Sequence, residues 1–431
     1  MTNFGVGAWV YLKTHHATDF AYILLAGSLP TIVLMPFIGA ICDRLNRKVT
    51  LMVAEIGGGI ASSGLAILAV TNHLQLWHIY VLAAVSSTFM AFTWPSMSAA
   101  IATLVSKDQL GRANGLMMYN ESAAMIFAPM IGGAVIYAGG LPRLLQLDVL
   151  SFAIAITLIA TTTIPRVVSD GEHHDNTFLQ DAFFGFKYTW ERKGLFGLMT
   201  YFFCMNFFGN MVWTLFTPLL LTLYNAKLTG QIEGFFGIGA LLGGVAVSIA
   251  GTPKRKARGL LICGFIFSIL QFTIMFPPSI ALFVCIALGI SVAGTVQYTC
   301  SQGIWMTKVP ADLHGRVFSV RRMAAMLATP ISFASAGPLA DKYFGPAMMP
   351  GGHLAATFGP IIGTGPGAGI RLMFGMIGLC CAAISALNVL NPRIRRIEVE
   401  LPDAEVKALV EEPEVQEAFP LPRECDASAS A

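Results

Sequence analysis

The fold turns on the stretch GAICDRLNRK, Gly39 to Lys48. The 22 residues from Ala21 to Cys42 hold no Asp, Glu, Lys or Arg. Asp43, Arg44, Arg47 and Lys48 then crowd together, and after Glu55 no such charge recurs until Lys107. A bilayer-spanning helix needs about 20 mostly apolar residues. A charged clasp between two such stretches marks a chain that leaves a membrane and turns straight back into it.

The composition agrees. Of 431 residues, 55% are hydrophobic and 12% charged, where soluble proteins carry roughly 25% charged residues. Most of the surface therefore does not face water. The net charge of +3 is small and dispersed, which excludes a nucleic-acid partner. The 8 Cys form no CxxC pair and sit mostly in apolar runs, as small buried hydrophobes do. His173-His174 lacks ligand spacing, so no metal and no cofactor is expected. HExxH, GxSxG and GxxxxGK[ST] are absent, so neither an enzyme nor an ATP-driven machine is expected.

Runs long enough to span lie at 20–41, 49–70, 77–104, 113–137, 144–164, 195–221, 232–250, 260–276, 279–304, 317–340 and 372–390. Turn chemistry separates several of them: Thr71-Asn72, Gly139-Gly140-Leu141-Pro142 and Pro277-Pro278. Thr2 to Leu12 is half the needed length and reads as a first helix entered partway, through truncation or a displaced start. With the 42–48 loop in the cytoplasm, alternation leaves only Lys13, Arg143, Lys227, Lys342 and Arg371 on the outer side. The positive-inside rule therefore sets the orientation.

The longest polar interruption, 165–194, divides the chain into six spans and six. The expected organisation is a first half at 1–164, a cytoplasmic linker at 165–194 and a second half at 195–391. A disordered acidic cytoplasmic tail at 392–431 completes it. The halves repeat. Thr103, Val105, Asp108, Gly111 and Arg112 match Thr307, Val309, Asp312, Gly315 and Arg316 at constant offset, each set after the fourth span of its half. Paired six-helix halves around a midplane site are one architecture of secondary transporters.

Gly39, Asp43, Arg44, Asn46, Arg47 and Lys48 together resemble the loop signature of the major facilitator superfamily, with Asn46 where a second glycine is usual. Asn shares with Gly a tolerance of left-handed backbone. Leu76–Tyr80, Trp94-Pro95-Ser96, Leu110–Ala113, Gly315–Arg322, Ala336–Asp341 and Gly363–Gly367 are similar to the drug- and macrolide-efflux branch, over about 3–403. The resemblance implies an all-α membrane protein, a 6+6 bundle with a partial first helix. Ala128-Pro129-Met130-Ile131-Gly132-Gly133 resembles the antiporter signature of the fifth helix, with Ala at its first glycine, and Pro129, Gly132 and Gly133 carry it.

The clasp is expected to gate. Asp43 accepts from arginines or helix N-termini, and Arg316, Arg321 and Arg322 open a span of the opposite half. The reading is a latch between Asp43 and that end, tuned by Arg44, Arg47 and Lys48. A solvated positive-inside loop is the alternative. Ionisable residues at bilayer depth are functional candidates. Glu121 lies nine residues past Arg112, roughly 13 Å up its helix. It ranks first for proton coupling, then Asp148, then Glu233; a structural role is the alternative for each. Sodium is the other coupling ion left open. Trp94, Asn206, Asn210, Gln297, Tyr298 and Gln302 are the candidate cavity lining, with helix–helix hydrogen bonding as the alternative.

The resemblance implies a monomeric proton antiporter of the bacterial cytoplasmic membrane, with its C-terminus inside. Export of drug-like, macrolide or natural-product molecules by alternating access is the function the resemblance implies. An importer or lipid flippase on the same fold, and a non-transporting receptor or scaffold, are the alternatives. Partners are thus a small molecule, protons and the bilayer.

Overall fold

The computed structural model describes residues 1–106, 109–163, 178–277, 279–310, 313–395 and 397–401. Within these, the side chains at 36–37, 39–40, 43–44, 99, 102–103, 110–111, 114, 118, 178–183, 393 and 399–400 lie outside the description. The described residues are helical throughout, without strands. The first part comprises α1 (Thr2–Thr14), α2 (Ala17–Arg44), α3 (Arg47–Val70), α4 (Leu76–Met90), α5 (Thr93–Leu104) and α6 (Leu110–Thr161). Next come α7 (Phe178–Glu191), α8 (Lys193–Leu223), α9 (Ala226–Ala250), α10 (Lys256–Thr273), α11 (Ile280–Lys308) and α12 (His314–Pro338). A π-helical turn (Leu339–Phe344) leads to α13 (Gly345–Met348), α14 (Ala355–Ile362), α15 (Ala368–Leu390), α16 (Pro392–Arg395) and α17 (Ile397–Glu400).

Ten segments among the described residues are long and apolar enough to cross a membrane. They correspond to the eleven predicted runs, because 113–137 and, of the run 144–164, residues 144–161 fall in the single helix α6. That helix changes axis at Gly140, φ 69° and ψ −175°, a conformation essentially reserved for glycine. Its end returns to the clasp: Lys48 Nζ donates to the carbonyls of Ala160 at 2.7 Å and Thr162 at 2.8 Å. A cation there satisfies the open carbonyls of a helix C-terminus. The predicted run 77–104 is broken at Ala91–Phe92. Pro95 lacks an N–H and its ring excludes the carbonyl four residues back, which is Ala91.

Side-chain caps fix several starts. Asn225 Oδ1 accepts from Leu228 N at 2.9 Å, and Ser279 Oγ from Leu282 N at 3.2 Å. Asn46 does the same for α3, accepting from Lys48 N at 3.0 Å. Its φ of −64° corrects the left-handed expectation: the residue serves as an N-cap on extended backbone. Trp305, Tyr201, Phe283 and Phe374 fill the core, while Ile249 and Leu390 are 83% and 75% exposed, as suits lipid-facing side chains.

Two segments differ from the expected loops. Part of the 165–194 linker is the helix α7, packed on α12 so closely that a Cβ on Gly185 would strike the Arg316 backbone. The start of the expected disordered tail is ordered at 392–395 and 397–401. Ile394 and Ile397 are buried, and Glu398 caps α10, accepting from Lys256 N at 3.0 Å and Ala257 N at 3.1 Å. Lys308 Nζ donates to the Glu398 carbonyl at 2.7 Å. The acidic composition hid these apolar anchors. Residues 164–177 and 402–431 lie outside the described residues.

Candidate functional site

Of the expected latch, the side chains of Asp43 and Arg44, and Gly39, lie outside the described residues, as do Asp108 and Asp312. Arg47 is half-buried at the start of α3. On the facing half, Arg316 sits over the Phe184 ring at 5.4 Å. Arg321 donates to Gln302 Oε1 and stands 5.3 Å over the Trp305 ring. Arg321 thus engages its own half, and Arg316 packs on the linker helix α7. Arg322 is exposed on a cavity wall.

At the end away from the clasp the two halves touch closely. Asp341, in the π-helical turn, accepts from the backbone of Ala17 at 3.0 Å and of Thr18 at 2.7 Å. It also accepts from the Thr18 hydroxyl at 2.6 Å. One carboxylate thus caps the N-terminus of α2 from the opposite half. His16 Nδ1 lies 3.9 Å from it. The hydroxyls of Tyr11 and Thr222 are 2.6 Å apart. Beneath them α6 crosses α9 on bare backbone. A Cβ on Gly133 would strike the Ala226 carbonyl, and one on Gly230 the Pro129 carbonyl. Small residues permit this approach between membrane helices. Gly132 faces Phe4 and the Met1 carbonyl. The motif carried by Pro129, Gly132 and Gly133 therefore lies at a contact between halves.

Two cavities lie between the helices, each walled mainly by one half and completed by the other. The first, about 620 Å³, is lined by Asn206, Asn210, Gln297 and Tyr298, with Arg321 and eight aromatic rings in all, and by Met125 of α6. The amides also bond within their half: Asn206 Nδ2 to the Phe202 carbonyl at 2.7 Å, Asn210 Nδ2 to Thr329 Oγ1 at 3.2 Å and Gln297 Nε2 to Tyr201 OH at 2.9 Å. Gln302 is drawn to Arg321 instead of the cavity wall. The second cavity, about 780 Å³, is lined by Trp94 and Asp148, with Arg322, Met326 and Phe333 from α12.

The three candidate acids part company. Asp148 accepts a hydrogen bond from Ser62 Oγ inside the second cavity. Glu233 is buried and accepts from Thr217 Oγ1 at 2.5 Å, lining neither cavity. Glu121 is exposed and lines neither. Sequence reasoning missed Asp341, whose partners lie more than 300 residues away. It also missed Gln271, inside an apolar run, and Trp305, just past the end of one, neither with a signal of its own.

The Major Facilitator Superfamily pattern matches residues 1–333. Macrolide efflux protein A of Streptococcus pyogenes is 27% identical over 339 residues, 77% of this chain and 82% of that protein. Enterobactin exporter EntS of Salmonella typhimurium is 25% identical over 290 residues, 65% of this chain and 67% of that protein. Among solved structures, a bacterial homolog of the human lysosomal transporter Spinster, inward-facing and unoccupied, aligns with TM-score 0.62 at 16% identity, over 90% of this chain and 94% of that one. An inward-facing bacterial homologue of the iron transporter ferroportin aligns with TM-score 0.63 at 14% identity, over 90% and 95%.

Proposed function

The chain belongs to the Major Facilitator Superfamily, a multi-pass membrane transporter, and from that premise we propose that it exports an amphipathic small molecule by proton antiport. The observation that carries this reading is the pair of cavities, with an aromatic-rich wall in one and a carboxyl group, Asp148, in the other. Efflux relatives matched over most of the chain support the direction of transport.

Alternating access then runs between two sets of contacts. At the far end, Asp341 on α2 and Tyr11 on Thr222 hold the halves together. At the clasp end, Asp43 grips the opposite half around Arg316 and Arg322 when that end closes, and Asp43→Asn keeps the protein in the membrane but abolishes export. Asp148 is the coupling acid, because Glu121 reaches neither cavity. The protein works as a monomer in the cytoplasmic membrane, with the clasp and C-terminus inside. Inverted vesicles given an acidic interior test the whole: an exporter accumulates a labelled amphipathic aryl compound beyond vesicles lacking the protein. An importer depletes it, and a scaffold does neither.

A further inference from the structure

We infer that the aromatic cavity of the second half selects an anionic aromatic molecule, with Arg321 as its charge-recognising residue. This rests on the export reading above and names its substrate class. No Asp or Glu lines that cavity among the described residues; Arg321 is its one charged residue there. The guanidinium is half-buried, and its hydrogen-bond partners are neutral: Gln302 Oε1 and, at 3.5 Å, Ser301 Oγ. A cation out of water without a counter-charge is costly and calls for an anion.

The surroundings say what carries that anion. Arg321 stands over the Trp305 ring, and the indole N–H of Trp305 is buried without an acceptor. A carboxylate or phenolate beside Arg321 offers acceptors for both the guanidinium and this N–H. Gln271, also in the wall, has a buried Oε1 without a donor, so a hydroxyl elsewhere on the ligand finds a partner. Trp213, Phe216 and Phe236 form an edge-to-face group in the same wall, which suits a flat ring. A cationic amine meets the opposite situation: Arg321 repels it and no carboxylate receives it.

Binding measured on the purified full chain in nanodiscs tests this, by energy transfer from the cavity tryptophans to a pyrene probe. The probes are 1-pyrenebutyrate, its methyl ester and 1-pyrenebutylamine. The expected result is at least about tenfold tighter binding of the carboxylate than of the ester, with the amine weakest. Arg321→Gln abolishes that preference, bringing the carboxylate to the level of the ester. Ala325→Glu, which places an acid one turn from Arg321 on the cavity wall, does the same without removing the arginine. An unchanged circular-dichroism spectrum and a single size-exclusion peak report that each variant is folded. Equal affinity for the three probes in the wild type overturns the proposal, and so does a carboxylate preference that survives both substitutions. Vesicle transport is a separate readout: a preference without transport sinks the export reading alone, and transport without a preference sinks this one alone.

Discussion

The Asp341 carboxylate accepts the Thr18 backbone N–H at 2.7 Å, joining residues from opposite halves of the transporter. The same carboxylate takes the Ala17 N–H and the Thr18 hydroxyl, so closure at this end is fastened to a helix terminus. Packing reinforces it, since a Cβ on Gly337 would meet the Thr18 backbone. Opening this end breaks all three hydrogen bonds together.

Asp341→Asn weakens that fastening. Hydrogen bonds to a charged group are each worth about 1.5–3 kcal/mol. Losing the charge shifts the balance toward the state open at this end by tenfold or more. Spin labels on Thr14 and Tyr343, exposed or half-exposed residues on the two sides of the contact, report the distance. A longer-distance population that grows in the variant is the expected outcome.

Gly230→Val drives a side chain into the Pro129 carbonyl at the crossing of α6 and α9. Overpacking typically costs about 1–3 kcal/mol. Thermal unfolding in detergent falls, and transport falls with it. Gly244→Ala, where nothing lies within 4 Å of an added Cβ, changes neither.

Asp148→Asn removes the carboxyl group of the second cavity. Proton-driven accumulation in vesicles stops, while substrate exchange without a gradient continues. Ser62→Ala, which removes the donor to Asp148, slows proton-driven transport less severely. Glu121→Gln retains wild-type coupling.

Glu398→Ala uncaps α10. Loss of a capping side chain costs about 1 kcal/mol. Melting of the purified protein drops by that equivalent. Cutting the chain after Asn391 lowers it further, because the buried Ile394 and Ile397 leave as well.

The membrane crossings were legible in the residues because twenty apolar positions in a row have few other uses. Gly140 was legible as a break because Gly139-Gly140-Leu141-Pro142 is turn chemistry. Depth was readable but facing was not. Spacing put Glu121 at mid-height, yet rotation about the helix decides whether it meets a cavity, and it does not. Gln302 shows the same limit, turned to Arg321. Asp341 lay within a recognised motif, but its role depends on a helix terminus brought to it only by folding. The ordered start of the tail was masked by its acids, one of which is the cap itself.

The single-residue corner at Gly140 has a practical side. Two successive crossings meet there with no connecting loop, so an epitope or reporter enzyme spliced in at that corner finds no slack. Insertional mapping of which face is external will succeed at Thr71–Gln75, where a true turn separates α3 from α4, and fail at Gly140 by unseating both helices.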